Sequence, residues 1–358
     1  MNILQVCPNP YERGSGGISE HVRCVSERLA KRHEVTVYAT DPSGMLPRYD
    51  LIDGVKVERY RRFAPSKAYF FSWDLLLKLR KARFDVVHGH GYHAFPMHLS
   101  SFAKCEKFVV SAHFHGAGHS VLRSSLLKLF NSFGKRTLMM ADWVIAVSEY
   151  EKALLCQKLG IDSGKIFVVP NGLDFKEFAG LRKRNRGYRS VLYVGRLDSY
   201  KGVHYLIEAL PKLNSDVVLE IVGKGPLKGY LEERARRLGV GDRVFFYQDL
   251  PRCELLQKYV DADVFVLLSK YEAYSLVVAE ALAAGTPCIV ADTSALSEWV
   301  DNESCFGVQF PIRLGELAEL IDNVLDGRVS RKAMKNWIRA KILDWDDVVQ
   351  RLEDIYAR

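Results

Sequence analysis

The chain has 358 residues, 48% hydrophobic and 26% charged, the balance of an ordinary globular protein too long for one typical core. A formal net charge of +8 favours anionic partners, with nucleotide sugars, nucleic acid and anionic lipid all compatible. Met1–Val6 lacks the flank and apolar stretch of a secretory signal, and no apolar run reaches membrane-spanning length. Seven cysteines without a C-x-x-C pair read as reduced core residues, so a cytoplasmic protein is expected, peripheral at most on the cytoplasmic membrane face.

Short β-branched runs alternate with amphipathic helical patterns, the signature of parallel sheets covered on both faces. The first half predicts strands near Asn2–Cys7, Glu34–Ala39, Val55–Tyr60, Asp85–Gly89, Lys107–Ala112, Trp143–Val147 and Ile166–Val169. Helical patterns near Ile18–Lys31, Trp73–Lys81, Ala94–Ala103, Ser124–Met139 and Glu149–Leu159 separate several of them. After the turn residues Pro170–Asp174, the polar, basic stretch Ala179–Arg189 loses apolar periodicity and reads as a linker. The pattern restarts with strands near Val191–Gly195, Val217–Val222, Arg243–Phe246, Asp263–Leu268 and Cys288–Ala291. Helical segments Ala318–Leu325, Lys332–Ile342 and Asp346–Tyr356 close the chain. The expected division is 1–178, 179–340, and a tail 341–358 that packs back on the first domain.

The richest segment is Tyr271–Pro287. A buried strand leads into a helix from Ser275 to Ala284, with Glu272 in the loop and Glu280 inside the helix. At about 1.5 Å per residue, Glu280 lies roughly 7–8 Å along the axis from Ser275, near the separation of a diphosphate from its ribose. A diphosphate at the helix start, Tyr274-Ser275-Leu276, would therefore bring ribose hydroxyls beside Glu280. Upstream, Gly195-Arg196-Leu197-Asp198-Ser199-Tyr200-Lys201-Gly202 joins a strand to a helix, so Arg196 and Lys201 can converge on an anion whose charge grows as a bond breaks. Gly223-Lys224-Gly225-Pro226 either lets a base or phosphate approach the backbone or is a tight strand-to-helix turn.

Near the amino terminus, Gly14-Ser15-Gly16-Gly17 opens a helix and fits a phosphate-facing loop. Its glycines do not spell G-x-G-x-x-G, which argues against a dinucleotide site with Asp41 as ribose ligand. His88-Gly89-His90 and His113-Phe114-His115 each end an apolar strand. They could bind a metal given further ligands and a second shell, but no metal is expected; a neutral imidazole donating to a substrate hydroxyl is the reading for His113. Basic clusters at Arg59–Arg62, Lys78–Arg83 and Arg182–Arg186 read as solvated faces and a charged linker, with membrane or anionic-acceptor contact as the alternative. None interleaves with aromatics, so no nucleic-acid partner is expected.

Together these motifs resemble glycosyltransferase family 4, whose members have the GT-B fold: two Rossmann-like domains facing a deep cleft. The carriers are Gly16-Gly17 with His21, His113, Val147-Ser148-Glu149, Val169–Asp174, Gly195-Arg196 with Lys201-Gly202, Gly223–Pro226, and Glu272 with Glu280. The resemblance implies that Arg196 and Lys201 grip the donor diphosphate, Glu280 the ribose and Glu272 the transferred sugar. It further implies that the Gly16-Gly17 backbone closes over phosphate and that His113 contacts the sugar. Ser275 stands where many relatives have glycine; serine is a good helix start, so the phosphate-binding end should survive.

The function that follows from the resemblance is a retaining glycosyltransferase moving a sugar from a UDP-, GDP- or ADP-sugar to a hydroxyl of a glycan, lipid-linked or small-molecule acceptor, without a cofactor. A nucleotide-sugar epimerase of the same fold and a non-catalytic nucleotide-sugar-binding subunit are the alternatives.

Overall fold

The computed structural model describes residues 1–12, 14, 16–62, 71–116, 133–327, 338 and 341–358. Ser15 and most of the predicted helices Ser124–Met139 and Lys332–Ile342 lie outside the described residues. The chain forms two compact units, residues 1–172 with 344–358, and residues 173–343. The division falls after Gly172, within the turn sequence Pro170–Asp174.

The first unit is built on β1 (Asn2–Cys7), α1 (Gly17–Leu29), β2 (Glu34–Asp41), β3 (Tyr49–Ile52), β4 (Val55–Arg61), α2 (Trp73–Leu79), β5 (Arg83–His90), α3 (Phe95–Leu99), β6 (Lys104–Ser111), β7 (Trp143–Ala146), α4 (Glu149–Leu159) and β8 (Ile166–Val168). Its sheet has the order β3-β4-β2-β1-β5-β6-β7-β8, parallel except for β3 against β4. Strand order reverses at β1, which pairs with β2 on one side and β5 on the other, so the crevice of this doubly wound sheet opens beyond the carboxyl ends of β1 and β5. The near-continuous burial of β1 and of the second half of β5 explains why both read as apolar runs. The C-terminal helix Trp345–Tyr356, started by a capping box of Asp344 and Asp347, belongs to this unit and buries Trp345, Val348, Val349, Leu352, Ile355 and Tyr356. Arg28–Asp346 (3.0 Å) and His33–Glu353 (2.8 Å) tie it to α1 and the turn that follows.

The second unit contains β9 (Arg189–Val194), α5 (Val203–Ala209), β10 (Val217–Val222), α6 (Lys228–Arg237), β11 (Val244–Tyr247), α7 (Arg252–Asp261), β12 (Val264–Leu267), α8 (Leu276–Ala283), β13 (Cys288–Ala291), β14 (Cys305–Val308) and α9 (Leu314–Leu325). Its sheet is parallel throughout, in the order β11-β10-β9-β12-β13-β14. Here the order reverses between β9 and β12, and the loops leaving those two strands carry Arg196 with Lys201, and Glu272.

Two strands escape the sequence reading. β3 is an exposed antiparallel edge with no apolar alternation, and β14 carries Gly307, whose absent Cβ accommodates Asp292 Cβ at 3.0 Å. The basic segment before β9 is exposed at 182–185, as its composition suggests, but several of its charges are paired within the second unit. Arg186 bridges the buried carboxylates Glu220 (2.9 Å) and Asp261 (2.5 Å), Arg184 reaches Asp261 as well, and Lys183 pairs with Asp263. Arg186 is the shielded member, whereas Arg182, Lys183 and Arg184 remain at the surface. All seven cysteines are free, and Cys253, contrary to the core assignment, is exposed.

Candidate donor site and a histidine cluster

In the second unit, the loop after β9 and the loop after β12 meet. Lys201 Nζ lies 2.5 Å from Glu272 Oε1, both side chains largely shielded from solvent. Burial works against the charge on Lys201, but Glu272 and Tyr200 outweigh it and hold the ammonium above its ordinary pKa. The loops are fastened through the backbone, since Lys270 N–H donates to Tyr200 O at 2.8 Å. Gly202 permits this approach: φ is +72°, and a Cβ would stand 2.4 Å from Leu268 O. Ser294 Oγ accepts from Glu272 N–H at 3.1 Å, fixing the glutamate's backbone. Arg196 is more exposed and pairs with Asp198 at 2.8 Å, beside rather than within the Lys201–Glu272 pair.

Glu280, on α8, is held by a residue the sequence did not single out. Arg252, at the start of α7, donates to Glu280 Oε1 at 2.5 Å and to Glu177 Oε2 at 2.7 Å. Burial opposes the charge on this guanidinium, and the two carboxylates outweigh that opposition. The available signal was topological: Arg252 follows β11 at the carboxyl end of the same sheet.

Ser275 departs from expectation. It occupies the N-cap of α8 in a left-handed conformation (φ 89°, ψ 83°), makes no side-chain cap hydrogen bond, and its buried Oγ has no partner. A capping serine needs extended backbone to aim its hydroxyl at the first-turn amides. The conformation is one glycine adopts freely, so the helix end is left without a side-chain cap. Tyr274 is buried against Trp299, whose indole N–H donates to Tyr274 O at 2.8 Å. Leu276 begins α8. Gly223 and Gly225 accommodate protein backbone: a Cβ would lie 1.8 Å from Gly195 O at the first and 2.4 Å from Leu197 O at the second. Leu197 N–H donates to Lys224 O at 2.8 Å, so these glycines lock the Gly195–Lys201 loop to its neighbour, the tight-turn alternative.

The first unit presents a different group. Gly16, with φ +111°, and Gly17 open α1, and a Cβ on either would meet nothing within 4 Å, leaving their backbone accessible. Asp41 spends its carboxylate on its own loop, accepting from Ser43 N–H, Ser43 Oγ and Leu46 N–H, which disposes of it as a ribose ligand. His113 adopts φ 49° just past β6 and stands beside His21 and His90, with ring centroids 5.3 and 6.1 Å away. Burial keeps these imidazoles neutral, lowering His21 to about 4 and His113 to about 3.

The two H-x-H motifs do not act as pairs. His88 uses both nitrogens, on Tyr356 OH (2.7 Å) and Ser111 Oγ (2.9 Å), while His115 stacks on His93. A second residue missed from sequence is Glu151, buried in α4. It accepts from Phe114 N–H (2.5 Å) and Val147 N–H (2.7 Å), so it anchors the backbone next to His113, and burial raises its pKa to about 8. The S-x-x-E spacing of Ser148 and Glu151 was the signal, and Ser148 Oγ does accept from Glu151 N–H at 3.0 Å.

Two α/β units, each built on a largely parallel sheet, are the GT-B architecture. The chain belongs to glycosyltransferase family 4: the family model "Glycosyltransferase Family 4" matches residues 15–177, and "Glycosyl transferases group 1" matches residues 175–341. A glycogen synthase of Mycobacterium tuberculosis is 30% identical over 99% of this chain and 94% of its own length. Among solved structures, sucrose-phosphate synthase of Thermosynechococcus elongatus matches with a TM-score of 0.82 at 20% identity, covering 100% of this chain and 98% of its own. HepE of Anabaena, in complex with UDP-glucose, matches with 0.79 at 16% identity over 99% of both chains. These two show likeness of fold. Among the described residues no helix is long and apolar enough to cross a membrane.

Proposed function

We propose that this glycosyltransferase takes its sugar from a nucleoside diphosphate sugar and passes it to a hydroxyl acceptor with retention of anomeric configuration. The observation that carries the reading is the Lys201–Glu272 pair at the switch between β9 and β12, next to the uncapped start of α8 and within the same unit as the Arg252-held Glu280. The free first-turn amides of α8 and the ammonium of Lys201 receive the diphosphate, and Arg196 adds a second cation. As the glycosidic bond to phosphate lengthens, negative charge builds on the leaving oxygen, and these fixed positive groups stabilise it more in the transition state than before it.

Glu272, relieved of Lys201 once phosphate arrives, accepts from hydroxyls of the transferred sugar. Glu280, held by Arg252, accepts from the ribose hydroxyls. His113 and the Gly16-Gly17 backbone keep the roles implied by family membership, as a neutral donor to a sugar hydroxyl and a cover for phosphate. The leaving phosphate helps to remove the acceptor proton on the same face, which gives retention. That HepE is described with UDP-glucose supports a nucleotide-sugar donor. The acceptor class is a glycan, a lipid-linked sugar or a small molecule met in the cytoplasm or at its membrane face.

The test is incubation of purified protein with UDP-, GDP- and ADP-sugars, with and without pooled acceptors, following donor loss, sugar isomers and released diphosphate. Acceptor-dependent release of diphosphate is expected. Isomerised donor without acceptor would indicate an epimerase instead, and binding without turnover a non-catalytic subunit.

A further inference from the structure

The histidines at the switch point of the first unit have bonding capacity that no protein group uses. His21 (α1), His90 (the end of β5) and His113 (after β6) come from three elements, and one ring nitrogen from each lies within 4.8 Å of the other two. We propose that these three residues bind one divalent ion of a late transition metal, of the zinc class.

The hydrogen bonds behind two of the rings set their tautomers. His21 Nδ1 sits 2.7 Å from Asn171 Oδ1 and His90 Nε2 sits 2.6 Å from Gln5 Oε1. An amide oxygen only accepts, so those ring nitrogens carry the protons, and His21 Nε2 and His90 Nδ1 are left with lone pairs. Gln5 is itself oriented, because its Nε2 donates to Tyr356 OH at 3.3 Å, and that hydroxyl is 2.7 Å from His88 Nδ1. The nitrogens left over, His21 Nε2, His90 Nδ1 and His113 Nε2, are buried with no hydrogen-bond partner. Two buried lone pairs and a third buried ring nitrogen, all without a hydrogen-bond partner, are an unusual arrangement. An imidazole whose other nitrogen is held by an outer acceptor is how metal-binding histidines are ordinarily supported.

The dimensions suit a small ion. Three atoms within 4.8 Å of one another leave a point at most about 2.8 Å from each, against a zinc–nitrogen bond of about 2.0–2.1 Å, so each ring closes by less than about 1 Å. Three neutral imidazoles select zinc, nickel or copper over magnesium, calcium or manganese, which prefer oxygen. Three protein ligands leave a fourth position for water or another oxygen. His21 and His90 are fully buried whereas His113 is partly exposed, which puts the entrance on the His113 side.

Binding is read directly and needs no sugar donor, so its outcome is independent of the transfer reaction. The full chain, stripped with chelator, is titrated with Zn²⁺ by calorimetry and with Co²⁺ by visible absorption. One equivalent is expected, with the intense d–d bands of low-coordinate cobalt, and X-ray absorption on the zinc form should show nitrogen scatterers at about 2.0–2.1 Å. His113→Asn, at the partly exposed position, should abolish the bands, and Asn171→Ala should weaken affinity about 10–100-fold by releasing the His21 ring. His204→Asn, in the other unit, should change neither. The absence of stoichiometric binding, or bands unchanged in folded His113→Asn, would overturn the proposal.

Discussion

Ser275 is the residue whose replacement the structure makes most calculable. Its φ of 89° costs a side-chain-bearing residue roughly 1–2 kcal/mol that glycine does not incur. Its buried hydroxyl, without a partner, costs about 1–3 kcal/mol in lost hydration. Against these stands the greater freedom of glycine in the unfolded chain, roughly 0.5–1 kcal/mol. Ser275→Gly should therefore stabilise the second unit by about 1–4 kcal/mol, each kcal/mol raising its unfolding temperature by roughly 2–4 °C for a domain of this size. Ser275→Ala removes the hydroxyl and keeps the backbone penalty, so it should fall between glycine and serine. Urea unfolding and calorimetry of the three proteins without ligand would measure this order. A glycine variant no more stable than the parent, or less stable than alanine, would refute both the strain and the orphaned hydroxyl.

Three further outcomes are expected. Glu280→Ala should weaken free nucleoside diphosphate binding about 10–100-fold by calorimetry, the worth of a hydrogen bond to a charged group. Arg252→Ala should weaken it less and add almost nothing in the Glu280→Ala background; additive losses would separate Arg252 from the ribose carboxylate. Glu151→Gln turns an NH₂ toward one of the two amides that the carboxylate satisfies, and should cost about 1–3 kcal/mol in urea unfolding; an unchanged midpoint would contradict that anchoring role.

A fourth outcome concerns pH. Burial lowers His98 to about 4, from 6.5 when unfolded, so the unfolded chain binds the extra proton first. The stability held by neutral His98 is complete above about pH 6.5 and is lost as pH falls toward 4, about 3 kcal/mol in all. His21 and His113 contribute in the same direction, so His98→Asn should reduce the slope of the unfolding free energy over that window by up to one proton's worth, and an unaltered slope would show that His98 does not contribute.

Much of the fold was legible because its central strands are buried on both faces. β1, β9, β12 and β13 read as apolar runs ending in turn residues, and their loops carry Arg196, Lys201 and Glu272. The edge strands were not, since β3 is exposed and β14 is interrupted by a packing glycine. Candidate site residues were legible where each loop carried its own strand-to-helix motif, as with Lys201 and Glu272, and obscure where topology brought distant segments together. Arg252 meets Glu280 and Glu177, and Glu151 meets Phe114, across separations that spacing cannot register. The histidines show the same limit: sequence grouped them by adjacency, whereas the β1–β5–β6 order groups His21, His90 and His113. Ser275 was misread because residue preference favours a capping serine, while the backbone at that position is set by the loop before it. The pairing of Arg186 was not legible because its carboxylate partners, Glu220 and Asp261, lie on later elements.

The most direct test of the account is acceptor-dependent release of nucleoside diphosphate by Lys201→Ala beside the parent protein, with the donor that the parent consumes. The pairing of Lys201 with Glu272 implies a drop in turnover of about 10²–10³, the effect of removing one preorganised charge-stabilising group, with the fold retained by circular dichroism. Turnover within a fewfold of the parent would contradict the assignment of the diphosphate to this end of the second unit's sheet.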